Sequence, residues 1–161
     1  MKASKFLVLL GGVIGIVAFF LPFLEFVHQG GTVAPSAMQF VTGGISAKGA
    51  ETVNRVVQDM RIIVLVSFAP AVMCALFGLI GMLKGSFARG LGAGALLFGL
   101  LTFGVWFVLN TAAADAGARA GIGMWLLMVA GAAGAIGGLI ALIKPDRGAA
   151  QTHRYAATIK A

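Results

Sequence analysis

The chain has 161 residues, of which 60% are hydrophobic and 11% charged, with a mean hydropathy of +1.00. A soluble domain has about a quarter of its residues charged, so this composition disfavours one and fits a chain dissolved mostly in lipid. The net charge is +7, and the single cysteine, Cys74, excludes an intrachain disulfide and a zinc cluster.

Four apolar runs partition the chain, at residues 6–24, 62–83, 90–109 and 122–143. Each can cross a hydrocarbon core of about 30 Å as a helix. The expected fold is all-α: one domain, residues 1–161, forming an integral membrane four-helix bundle. A partly structured outer loop is expected at 25–61 and a tail at 144–161. The second and third runs are joined by six residues, Lys84-Gly-Ser-Phe-Ala-Arg89, so they must be antiparallel neighbours. One side then carries Lys2, Lys5, Lys84, Arg89, Lys144, Arg147, Arg154 and Lys160 against Asp146 alone. The other carries Lys48, Arg55, Arg61 and Arg119 against Glu25, Glu51, Asp59 and Asp115. The whole excess of positive charge lies on one face, which predicts both termini in the cytoplasm. Topology explains the pI near 10.4 without nucleic acid, for which a basic stripe with aromatics is missing.

The first run ends Phe-Phe-Leu-Pro-Phe-Leu, too bulky for a signal-peptide cleavage site, so an uncleaved first helix is expected. Gly11 and Gly15 form a G-x-x-x-G that permits close helix approach. Pro22 should end or kink the helix, with Phe19, Phe20, Phe23 and Phe26 packing against the loop that follows. If the helix continues past Pro22, Glu25-x-x-His28 puts a carboxylate and an imidazole on one face. With Asp59 these are candidate metal ligands, though a site would need more; Met124 and Met128, at i, i+4, could hold copper, but packing is the commoner role. Residues 38–42, Met-Gln-Phe-Val-Thr, read as a short strand before a Gly43-Gly44 turn. Val53, Val56, Val57 and Met60 recur with helical spacing, and Glu51/Arg55 and Arg55/Asp59 are i, i+4 ion pairs. Residues 50–83 therefore read as one helix whose outer turns leave the bilayer.

Within the second span, Pro70 removes the hydrogen bond to Val66; a kink is expected, with Ser67 satisfying the freed backbone. The third span carries Gly90 and Gly94, and the fourth has Ala130, Gly134 and Gly138 on one stripe. Lipid gives helices no hydrophobic drive to associate, so these small residues are the expected packing positions, within the chain or between copies. Trp106 and Trp125 flank the second outer loop, 110–121, as an aromatic belt would, and Lys84 and Lys144 anchor the opposite interface. Pro145 stops the last helix, and a disordered, weakly basic tail is expected beyond it. Gly78-Leu-Ile-Gly-Met-Leu-Lys84 echoes Gly138-Leu-Ile-Ala-Leu-Ile-Lys144, as two hairpins related by an axis along the membrane normal would.

Phe20-Leu-Pro-Phe23, the Gly/Ser-rich loop and Ser36-Ala-Met-Gln-Phe-Val-Thr-Gly-Gly44 resemble a pattern in small uncharacterised bacterial four-span membrane proteins. The layout is similar to that of claudin-type proteins, without their Trp and paired-Cys loop signature. The resemblance covers the layout and implies no particular activity; separately, the expected location is the inner membrane. No catalytic constellation, cofactor motif or mid-membrane ionisable residue is present in the sequence. The expected function is a non-enzymatic structural or accessory subunit whose partners are the bilayer and either its own copies or a larger membrane complex. The alternatives are an oligomeric, holin-like pore and, behind it, a transporter or metal-binding protein.

Overall fold

The computed structural model describes residues 3–28, 31–43, 51–115 and 117–145, with the backbone alone at residue 28 and residues 51–60. In chain order the elements are α1 (Ala3–Phe20), β1 (Leu24–His28), β2 (Gly31–Val33), α2 (Ala37–Thr42), α3 (Glu51–Leu83), α4 (Arg89–Asp115), β3 (Arg119–Ala120) and α5 (Ile122–Ile143). Four helical segments are long and apolar enough to cross a membrane: Ala3–Phe20, Arg61–Leu83, Arg89–Asp115 and Ile122–Ile143. A helix satisfies its own backbone groups, which is the condition for residence in lipid.

α5 packs along both α1 and α4, and each of those packs on α3, so the four long helices form a ring in the order α1–α3–α4–α5. All neighbours are antiparallel. Along α1 and α5, Ser4 and Val8 meet Gly137, Gly11 meets Ala130 and Gly134, and Ala18 meets Gly123. Along α1 and α3, Leu9 meets Gly78, Gly12 meets Ala75 and Gly15 meets Ala71. Along α4 and α5, Gly92 meets Ala141 and Gly99 meets Gly134 and Ala135. A Cβ on Gly11 would stand 2.9 Å from the Ala130 carbonyl oxygen, so glycine there allows backbone to meet backbone. Gly94 faces the ring of Phe77, while Gly90 has no atom within 4 Å of the position a Cβ would take. Gly78 and Gly138, the matching positions of the sequence echo, each press on the backbone of a leucine in the preceding long helix, Leu9 and Leu96.

One end of the ring is closed by the α3–α4 turn. Phe87 folds back and is fully buried against Gly81, which has no side chain to obstruct the ring. Lys5 of α1 is buried, and its Nζ donates to the Gly85 carbonyl at 3.2 Å. The start of α1, the 84–88 turn and the end of α5 thus share one end of the bundle, with Lys84, Arg89 and Lys144 exposed there.

Several boundaries and one motif differ from the sequence reading. α1 stops at Phe20, not at residue 24, because Pro22 cannot donate and the chain turns extended there. Residues 38–42 are helical, not a strand, because Ser36 and Gln39 form a capping box. The Ser36 Oγ accepts from the Gln39 N–H at 3.3 Å, and the Ser36 N–H donates to Gln39 Oε1 at 2.8 Å. Gly43, at φ 71°, ends α2 in the left-handed region. α4 runs to Asp115, past the apolar run, because Thr111-Ala-Ala-Ala-Asp115 favours helix and Gly117, φ +69°, is the first residue able to reverse it. Ser67 does not serve the carbonyl freed by Pro70: its hydroxyl donates to Ile63, one turn back, which is as far as a helical serine reaches. The helix is continuous through Pro70 from Glu51 to Leu83. At ~1.5 Å per residue its 33 residues are longer than a hydrocarbon core of about 30 Å, and the segment apolar enough to cross one is Arg61–Leu83. The expected ion pairs among Glu51, Arg55 and Asp59, the Gly44 half of the turn, and the tail from Asp146 onward lie outside the described residues.

Ser36→Ala removes half of the capping box of a six-residue helix. It should lower stability by about 1 kcal/mol, read as a fall in the thermal midpoint of the detergent-solubilised protein, with Ser36→Thr close to wild type.

Candidate functional site: a cap on the bundle

Opposite the Lys5 end, the segments between the helices form one assembly. Its core is the dipeptide Pro22-Phe23, placed by the end of α1. β1 pairs antiparallel with β2, Phe26 opposite Val33 and His28 opposite Gly31, and with β3, Leu24 opposite Ala120 and Glu25 opposite Arg119. The sheet order is β2-β1-β3, so the strand leaving α1 holds both connections at this end of the bundle.

The backbone around Pro22 carries most of the cross-links. The Phe23 N–H donates to the Pro35 carbonyl at 2.8 Å, and Pro22 bridges to Ser36. The Gly123 N–H donates to the Pro22 carbonyl at 2.7 Å, and the Gly121 N–H to the Phe23 carbonyl at 3.0 Å. The first N–H groups of a helix have no partner within it; at α5 the Pro22 carbonyl, just past α1, accepts from one of them. Glycine is required for this approach, since a Cβ at Gly123 would stand 2.7 Å from the Ala18 carbonyl oxygen.

Side chains then fill the cap. Phe23 is fully buried, edge-on to Phe40 of α2 with centroids 6.5 Å apart, and 5.7 Å from Phe68 of α3. Phe19 meets Phe68 at 5.0 Å. Phe20, expected in the same cluster, instead points outward and is 58% exposed. Ala18, Leu24, Ala37, Val64, Leu109 and Met124 belong to the same buried cluster, which therefore joins the cap to all four long helices.

Trp106 and Trp125 touch, with ring centroids 5.9 Å apart, on the same half of the bundle as the cap. Trp125 is half exposed, whereas the Trp106 Nε1–H is buried without an acceptor among the described residues.

Of the metal candidates, the side chains of His28 and Asp59 lie outside the described residues. The helical spacing that would have joined Glu25 and His28 is lost because both lie on β1, where residues three apart do not share a face. Glu25 sits across from Arg119, an opposite-charge cross-strand pair. Among the described residues no three of His, Cys, Asp and Glu come together.

Sequence reasoning missed the sheet. Its signals were present: Phe-Leu-Glu-Phe-Val-His and Gly-Thr-Val are strand-forming runs separated by Gln29-Gly30, a two-residue hairpin spacing. The Ser36-x-x-Gln39 box was equally readable. No protein-family model matches the chain, and no curated protein matches it either.

Proposed function

We propose that this chain is a non-enzymatic, multi-pass protein of a bacterial inner membrane, with both termini in the cytoplasm, acting as a structural or accessory subunit. Its working surfaces are the outward helix faces and the outer cap. The observation that carries this reading is the division of labour in the fold. The inward faces carry mostly small residues, among them the buried Gly11, Gly15, Gly99, Gly134 and Gly138 with Ala95 and Ala141. The outward faces of the spans are large apolar residues, such as Ile62, Val66, Leu97, Phe107 and Val108. The outer loops are built into a cap tied to the helices by backbone hydrogen bonds.

The charge asymmetry supports the orientation. Lys5, Lys84, Arg89 and Lys144 share the end opposite the cap, so that end faces the cytoplasm under the positive-inside rule. A fluorescent protein fused after Ala161 should then fold and emit, and alkaline phosphatase at the same site should be inactive. Active phosphatase there would reverse the orientation. Crosslinking in native membranes, followed by co-purification, tests the accessory role: a discrete adduct with another membrane protein or with a second copy is expected, and recovery of monomer alone would count heavily against it.

A further inference from the structure

We propose that the groove between α3 and α4, in the half of the bundle nearer the cap, holds one acyl chain of a membrane lipid. The bundle repeats its own packing, and the repeat shows that this seam is built open. Along α1 and α3, Lys5 meets Gly81, Leu9 meets Gly78 and Gly12 meets Ala75. Along α4 and α5, Gly92 meets Ala141, Leu96 meets Gly138 and Gly99 meets Ala135. One shift in residue number takes Lys5, Leu9 and Gly12 to Gly92, Leu96 and Gly99. A second takes Gly81, Gly78 and Ala75 to Ala141, Gly138 and Ala135. The pair α1 and α3 and the pair α4 and α5 are therefore two copies of one packing unit. In the ring, the α3–α4 seam is then the counterpart of the α1–α5 seam.

The two counterpart seams differ in what fills them. Near the cap, α1 and α5 close on Ala18 and Gly123, the glycine lying against the Ala18 carbonyl oxygen. The same shifts put Val105 and Ile63 at those places on α4 and α3, and both line a groove of about 490 Å³. Toward the other end the seam closes again, where Phe77 lies against Gly94 and Phe98. Ser67 and Leu109 are the buried floor of the groove, while Leu97, Leu101 and Val108 stand exposed at its rim. Ser67 is the one polar side chain lining it, and its hydroxyl already donates to the Ile63 carbonyl. The groove thus asks for an occupant with no hydrogen bonds to make.

Size selects that occupant. On α4 the lining runs from Leu97 to Leu109, which is about 18 Å at ~1.5 Å per residue. One leaflet of a ~30 Å hydrocarbon core is about 15 Å deep, so the groove is as long as an acyl chain is deep. A volume of about 490 Å³ spread over that length is a channel about 6 Å wide. Carbon atoms in contact lie ~4 Å apart, so the channel takes one hydrocarbon chain. A helix, ~10 Å or more across with its side chains, is too wide to enter. Gly104 keeps the channel clear, since no atom lies within 4 Å of the position its Cβ would take.

The test is native mass spectrometry of the purified full chain in detergent, after incubation with dioleoylphosphatidylcholine, dioleoylphosphatidylglycerol or dihexanoylphosphatidylcholine. Either dioleoyl lipid should leave one tightly held molecule per chain, whatever its headgroup, and the short-chain lipid none. Gly104→Phe fills the channel and should abolish retention. Gly104→Leu should lower it in the same direction, and it decides the matter if the phenylalanine variant does not fold. Gly90→Phe, equally unobstructed but outside the groove, should keep the wild-type level. The site rests on the membrane embedding proposed above and not on the orientation or the accessory role, and the two fail separately. Release of the chain from membranes by alkaline carbonate overturns the embedding, whereas a carbonate-resistant chain that retains no lipid overturns the groove alone. Unchanged retention in the Gly104 variants, equal retention of the short-chain lipid, a preference set by the headgroup, or a dimer that Gly104→Phe dissociates would each overturn it as well.

Discussion

Replacing Gly99 and Gly138 together by alanine should destabilise the protein by about 2–6 kcal/mol, taking ~1–3 kcal/mol for each overpacked site. A Cβ at Gly99 would stand 2.7 Å from the carbonyl carbon of Gly134, and one at Gly138 would stand 2.7 Å from the carbonyl oxygen of Gly92. Both obstacles are backbone. A side-chain tip can rotate aside, but here α4 and α5 must move apart as rigid bodies. In lipid that separation matters more than in water, because close van der Waals contact is what holds the helices together. The internal control is Gly90→Ala with Gly104→Ala. Neither added Cβ meets an atom within 4 Å, and alanine is the better helix former. That pair should leave the protein unchanged or raise its stability by up to ~1 kcal/mol per site. Unfolding of the two variants in mixed micelles, followed by circular dichroism, distinguishes the cases. Equal midpoints for the two pairs would mean that the glycines do not set the helix spacing.

The contrast also shows what the sequence can and cannot reveal about these glycines. Gly90, Gly94, Gly134 and Gly138 look alike as small residues on apolar helices. Only the pairing of helices distinguishes Gly138, pressed on Leu96, from Gly90, which meets nothing. Small-residue spacing announces that close approach is possible; the partner that uses it belongs to tertiary structure. The span segments were legible because lipid imposes a length and a polarity that no other environment does. The long α3 was legible for the same reason, joined to a helical period before Arg61. The cap was harder to read. A helical Glu25-x-x-His28 required the chain to ignore Pro22, and once α1 stops at Phe20 the same residues alternate as a strand. Residues 38–42 have strand-forming composition, yet the local bonds of Ser36 and Gln39 outweigh it. In a six-residue element the cap is a large part of the total hydrogen bonding, so it decides the conformation. β3 could not have been read from its own residues, since Arg119-Ala120 becomes a strand only by lying beside Leu24 and Glu25.

Phe23→Ala should produce a comparable loss by a different route, about 3–5 kcal/mol, as expected for a buried phenylalanine truncated to alanine. Phe23 is fully buried where the end of α1, α2 and α3 converge, and its ring touches both Phe40 and Phe68. Its backbone also links the 31–36 segment to the start of α5, through bonds to Pro35 and Gly121. Those backbone bonds survive the substitution, so the bundle should remain assembled while the cap loosens. α2 has six residues, a capping box, and Phe40 as its fully buried large side chain. Without the Phe23 ring, Phe40 faces a void and α2 loses its main anchor. Limited proteolysis of the protein in sealed vesicles, from the cap side, should cut the 31–43 region faster in Phe23→Ala than in wild type. Phe23→Leu keeps most of the volume and should cost less than half as much. Phe20→Ala is the matched control three residues earlier, since that ring is 58% exposed on the outside of the bundle and truncating it opens no void. If Phe20→Ala and Phe23→Ala shift the midpoint and the cleavage rate alike, Phe23 does not organise the cap. The loops would then be attached to the bundle through the backbone alone, and the cap would lose its standing as a rigid surface for a partner.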